Sequence, residues 1–187
     1  MDTIQKKLDK VKERFSDEAF LNNRGLGNEV GIHVFSYSPS EEIVVRNFIN
    51  HLIENMKSYN FKIHEYDLYE MFLEICEEKQ VIDKIPTMED KKGKDFLLIN
   101  LQKFATPEAF ISKIKIQDLQ KGKDILLLTG IGKVYPFMRS HSILNKIQNQ
   151  IINVPIVLFY PGVYTGNELE LFGKIRDENY YRAFSLI

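Results

Sequence analysis

Tryptophan is absent from the 187 residues, and cysteine occurs once, at Cys76. A lone cysteine excludes an internal disulfide and any cysteine-based zinc cluster. An excess of either charge is missing too: 25 Lys and Arg stand against 26 Asp and Glu, for a formal net charge of −1. No global basic field is available to draw nucleic acid, so direct nucleic-acid binding is not expected. No apolar run approaches the roughly 20 residues that span a bilayer. The opening MDTIQKKLDKVKERF is amphipathic and charged, without the apolar core of a signal peptide. A cytoplasmic chain with no membrane contact is the expectation. Repeats, low-complexity tracts and Ser/Gly/Pro-rich linkers are missing as well, which points to one domain over 1–187.

What is present is an ordinary globular composition, 44% hydrophobic and 27% charged. Ile4, Leu8, Val11 and Phe15 recur at helical spacing, so a helix over 2–15 should pack on the domain. A loop at Asn22–Asn28 offers glycines and asparagines suited to positive φ. Val30–Tyr37 reads as a buried strand. Ser38-Pro39-Ser40-Glu41 then supplies a helix cap, a proline for the first turn and the acid of a capping box. Val45, Phe48, Ile49, Leu52 and Met56 mark the buried face of the helix that follows. Phe61–Tyr66 reads as a second strand and Asp67 to about Asp83 as a helix. Further helices are expected over Lys94–Phe104 and from Pro107, and strands over Asp124–Thr129 and Pro155–Tyr160. Leu169, Leu171, Phe172 and Ile175 suggest a short helix or irregular segment before a closing strand at Tyr181–Ile187. Apolar strands alternating with amphipathic helices predict an α/β fold. The expected form is a three-layer, mostly parallel five-stranded sheet with helices on both faces, Rossmann-like or degenerate P-loop-like.

The stretch Ile125–His141, ILLLTGIGKVYPFMRSH, is the best candidate site. A buried strand that ends in a glycine-bearing turn before a helix is where open α/β sheets place ligands. Thr129, Gly130, Gly132, Lys133, Tyr135, Arg139 and His141 are its candidate binding residues, joined by Gly162 and Tyr164 from a second glycine-bearing loop. Gly-x-Gly-Lys is an incomplete phosphate fingerprint: it lacks a third glycine and a following acid at the right distance. The earlier strand-turn-helix VFSYSPSEEIVVR has no lysine and carries Glu41 and Glu42 where phosphate would sit, so it reads as a structural turn. His33, His51, His64 and His141 show neither HxH nor HxxxH spacing, and no metal or other cofactor is expected. No nucleophile elbow occurs, and Cys76 falls on the buried side of its helix. No complete catalytic constellation emerges, so the chain reads as a non-enzyme.

Charge is segregated along the chain. Residues 65–78 hold six acids (65, 67, 70, 74, 77, 78) and no base, while 113–146 hold seven bases (113, 115, 121, 123, 133, 139, 146) and two acids (118, 124). Glu70, Glu74 and Glu77 on one helix face, with Tyr180, Tyr181 and Arg182 near the far end, are the candidate partner contacts.

Three segments together resemble a known family: LLLTGIGKVYPFMRSHSILNKIQ (126–148), PIVLFYPGVYTGNELELFGKI (155–175) and DENYYRAFSLI (177–187). They are similar to the BrxB family of bacterial BREX phage-defence systems. The resemblance implies a cytosolic component of a multi-protein system. Such systems combine a large ATPase, a site-specific adenine methyltransferase and a PglZ-type protein of the alkaline-phosphatase superfamily. It further implies a non-catalytic adaptor beside the PglZ-type partner.

Overall fold

The computed structural model describes residues 3–24, 31–148, 150–151, 153–177 and 183–187. In chain order the elements are α1 (Ile4–Ser16), α2 (Glu18–Leu21), β1 (Ile32–Tyr37), α3 (Glu42–Glu54), β2 (Lys62–Asp67), α4 (Leu68–Glu78), α5 (Ile85–Lys92), α6 (Lys94–Gln102) and α7 (Pro107–Ile111). Then come β3 (Asp124–Thr129), α8 (Ile131–Val134), α9 (Ser140–Ile147), β4 (Ile156–Tyr164), β5 (Leu169–Leu171), β6 (Ile175–Asp177) and β7 (Phe184–Ser185). Among the described residues no helix is long and apolar enough to cross a membrane.

The local signals act as their chemistry requires. Thr3 caps α1 through its side chain, Asp67 caps α4 and Thr106 caps α7. At Ser38 the Glu41 carboxylate accepts from the Ser38 N–H at 3.0 Å, the reciprocal half of a capping box. Asn23 takes φ 52, the left-handed geometry asparagine tolerates. The glycines of that loop, Gly25 and Gly27, lie outside the described residues.

The strands join in the order β2-β3-β4-β1-β7, and each neighbouring pair on this path is parallel. Two corrections to the expected sheet follow. The sheet has seven strands rather than five, and it is mixed rather than mostly parallel, because β5 and β6 add antiparallel pairings to the end of β4. The strand order also matches neither the 3-2-1-4-5-6 nor the 2-1-3-4-5 doubly wound arrangement. The segment expected as a short helix or irregular stretch is that β5–β6 hairpin. Leu169 and Leu171 share a buried face by strand alternation, and a three-residue strand is too short for its period to show in sequence.

Side-chain alternation divides the core in two. Ile125 and Leu127 of β3 join α1, α2 and α3 in one cluster, with Leu8, Val11, Phe15, Val45 and Ile49. Leu126 and Leu128 point the other way, into a larger cluster with residues of α4, α6, α7, α8 and α9. The four aliphatics Ile125–Leu128 are each 0% exposed. Burial of each stabilises by roughly 1.5–3 kcal/mol, an upper bound for a chain partly collapsed when unfolded. Parallel pairing brings the strands' carboxyl ends to one edge, where Tyr37 aligns with Pro161 and Asp67 with Thr129.

Candidate functional site

The focal turn leaves β3 at Thr129 and enters α8 through Gly130. Gly130 has φ 71, and a Cβ there would lie 2.0 Å from the Asp67 Oδ1, so both backbone geometry and space demand glycine. Because β2 is the neighbour of β3, the acids that end β2 stand beside this turn. The Thr129 hydroxyl donates to Glu65 at 2.7 Å. Lys133 donates to Asp67 at 2.6 Å, lies 3.8 Å from Glu70, and sits 5.7 Å above the Tyr69 ring.

From α3, Arg46 reaches the same acids. Its guanidinium donates to Glu65 at 2.7 Å and to Asp67 at 3.1 Å, and lies 3.9 Å from Glu42. Glu42 in turn accepts from the Tyr37 hydroxyl at 2.6 Å. Burial, and then the hydrogen bond and charge of Glu42, push the Tyr37 phenol far above its usual range. Asp67 is the hub. It caps α4, accepting from the N–H groups of Tyr69 at 2.9 Å and Glu70 at 3.3 Å. Burial alone would raise its pKa, but the Lys133 hydrogen bond and charge, with those backbone donors, hold it below the usual carboxylate value.

This network sets four carboxylates (Glu42, Glu65, Asp67, Glu70) against two cations (Arg46, Lys133). A phosphate at the Gly130–Lys133 turn would meet acids and a lysine already committed. The β5–β6 hairpin covers the turn from the other side. A Cβ on Gly132 would come 2.8 Å from the Phe172 ring and 3.2 Å from Pro161. Gly162 allows the hairpin to close, since a Cβ there would lie 2.2 Å from the Glu170 carbonyl oxygen.

The candidate residues therefore fall into three places. Thr129, Gly130 and Lys133 belong to the charge network, with Gly132 packed beneath Phe172. Gly162 and Tyr164 belong to the hairpin, where the Tyr164 hydroxyl donates to the Gly166 carbonyl at 2.8 Å. Tyr135 and Arg139 line a separate cavity, and His141 lies half-buried in the first turn of α9. Arg46, Glu65, Asp67 and Phe172, which hold the arrangement together, escape motif reading because they come from distant elements. The one local signal was Asp67, whose position before α4 marks it as a cap.

On the partner-contact side, Glu70, Glu74 and Glu77 are exposed on α4. Lys113 bridges Glu74 at 3.1 Å and Glu78 at 2.8 Å. Lys146 pairs with Glu108 at 2.8 Å. Part of the basic segment is thus neutralised by the acidic helices. Tyr180, Tyr181 and Arg182 lie outside the described residues. Among the described residues no group of three or more His, Cys, Asp or Glu could hold a metal ion.

The family model for "BREX protein BrxB" matches residues 64–186. A protein of that description from Bacillus cereus (strain H3081.97) is 45% identical over 190 residues, covering 100% of this chain and 99% of its own length. Another from Escherichia coli O9:H4 (strain HS) is 29% identical over 190 residues, covering 98% of this chain and 92% of its own. No solved structure matches the chain. With a family model over most of its length and a relative matched end to end, the chain belongs to the BrxB family of BREX proteins.

Proposed function

We propose that this protein is a non-catalytic adaptor in a cytoplasmic BREX phage-defence assembly, and that it docks the PglZ-type component of that system. The observation that carries the reading is the closure of the sheet's carboxyl edge. Lys133 is held on Asp67 at 2.6 Å and Arg46 spans Glu65 and Asp67, so the usual ligand position of an α/β sheet is filled by the chain's own groups. Exposed apolar side chains stand on elements that leave this edge, alongside its charged ones. Ile43 is 75% exposed, Val44 42%, Val163 46% and Phe172 37%. Exposed apolar side chains at one edge of the sheet would suit a protein contact. Phe172 also holds φ 57, a left-handed geometry that costs a bulky residue about 1–2 kcal/mol. Strain at an exposed aromatic is the kind that functional surfaces retain. The exposed acids of α4 form a neighbouring face suited to steering a partner.

Co-purification with the PglZ-type protein from the same gene cluster tests the proposal. Complex formation is expected, with Phe172→Glu and Val163→Glu weakening it by about tenfold or more. Failure to associate at about 10 µM of each protein would refute it. Small-ligand binding by the Thr129–Lys133 loop is the weaker reading, because the lysine it needs is neutralised by Asp67.

A further inference from the structure

The strand order ends at β2, and among the described residues β2 pairs with β3 alone. The register fixes what its other edge presents. The Lys62 N–H donates to the Lys123 carbonyl at 2.8 Å, so Lys62, His64 and Tyr66 turn their backbone groups toward β3. Strand alternation then turns those of Ile63 and Glu65 outward. The outward Ile63 N–H donates to the Met56 sulfur at 3.3 Å. A thioether is a weak acceptor. An open strand edge is a template on which a second extended chain can add.

At the start of this edge the end of α3 and the first residues of β2 border a groove of about 470 Å³. Ligand sites span roughly 300–1,000 Å³. Met56, Tyr59 and Phe61 give the groove apolar walls, and the Tyr59 ring stacks on that of Phe61 with centroids 4.9 Å apart. Lys57, Lys62 and Lys123 stand around it, all exposed and none in an ion pair among the described residues, beside one acid, Glu54. By contrast Lys133 and Lys146 each hold a carboxylate. Cations gathered without acid partners gain from an incoming carboxylate.

We propose that this edge docks an extended, acidic segment of a partner protein, which adds to β2 as a further strand. A backbone carbonyl of the segment replaces the Met56 sulfur on the Ile63 N–H. An apolar side chain fills the groove, and neighbouring Asp or Glu side chains meet Lys57, Lys62 and Lys123. Met56 is unbranched and flexible, so it can swing aside. The acids of the segment belong at the Lys62 end, because the far end of β2 carries Glu65 and Asp67. This surface lies at the opposite end of β2 from the Asp67 network, so it is a second contact face, independent of the one at the carboxyl edge.

Selection of random linear peptides against the immobilised full chain tests this, with the enriched peptides then measured by fluorescence anisotropy. They should carry Asp or Glu beside an apolar residue. Lys62→Glu combined with Lys123→Glu should weaken them about tenfold or more, while Lys94→Glu, an exposed charge reversal on α6, should leave binding unchanged. N-methylation of the peptide amides separates strand addition from charge attraction alone. Because a paired strand turns every second amide toward β2, methylation at one set of alternate positions should abolish binding and at the other set should spare it. Circular dichroism establishes that each variant is folded, and the N-methyl series uses the unaltered protein. The proposal is overturned if no peptide is enriched, if the enriched peptides lack acids, or if they bind the double variant undiminished. Equal tolerance of both methylation patterns overturns it as well. Self-association of the full chain that the double variant abolishes would make a second copy the occupant, and would also overturn it.

Discussion

Acidification should destabilise this fold through one histidine on β1. His33 is 3% exposed, its ring lies 4.9 Å from that of Phe20 and 5.8 Å from that of Phe184, and its Nδ1 has no hydrogen-bond partner among the described residues. Burial first, and then the positive charge of Arg14, lower its pKa from 6.5 to about 4. The unfolded chain therefore takes up a proton near 6.5 that the folded chain refuses until about 4. Stability is fully present above the unfolded value, falls as pH drops through the window between the two, and levels off below the folded value. The loss is about 2 kcal/mol near pH 5 and approaches about 3 kcal/mol at lower pH. Against a total stability of roughly 5–15 kcal/mol this is a large share. The assay is urea unfolding across about pH 8 to 4, comparing the wild type with His33→Phe, which keeps an aromatic ring between Phe20 and Phe184. Carboxylate titrations are common to both proteins and cancel in the difference. The variant should lose less stability on acidification, so the two curves should converge at high pH or diverge at low pH by about the stated amount. Parallel curves over this range would refute the assignment of the loss to His33.

Other perturbations address the carboxyl edge. Asp67→Ala removes the α4 cap and strands Arg46 and Lys133, at a cost of roughly 2–4 kcal/mol read from the urea midpoint; an unchanged midpoint contradicts the hub role. Gly130→Ala sets a Cβ at φ 71 and 2.0 Å from Asp67, and should lower stability by about 1–3 kcal/mol in thermal unfolding. Lys113→Met breaks the bridge to Glu74 and Glu78, whose side chains are 60% and 66% exposed, so the stability change should stay under about 1 kcal/mol. Its effect should appear in the salt dependence of partner association, because α4 becomes more acidic.

The strands and their caps were legible because their signals are local. Asp124–Thr129 is strand from the first residue to the last, and the acid of the Ser38–Glu41 box bonds back as its spacing requires. Helix α5 left no mark, since Ile85–Lys92 buries no side chain fully and only Ile85 and Met88 pack in part on the core, too few for an apolar stripe. The hairpin was hidden by brevity. Leu169, Leu171 and Ile175 fit a helical spacing as well as two three-residue strands. The charge network was hidden for a different reason. Its members come from 42, 46, 65, 67, 70, 129 and 133, and only strand order decides that β2 lies beside β3. Sequence supplies the lysine of Gly-x-Gly-Lys but not the identity of its neighbour.

That neighbour changes the electrostatics of the loop. A strand end followed by glycine and lysine attracts phosphate when the adjacent strand ends in neutral groups, because the lysine charge and the helix amides then point at an empty space. Here the adjacent strand ends Glu65-Tyr66-Asp67, and both acids turn toward the loop. An incoming phosphate would have to displace Asp67 from Lys133 while standing beside Glu65 and Glu70, so repulsion opposes it at each step. The same acids anchor Arg46 and fix α3 to the sheet edge, so opening the loop would also loosen that helix.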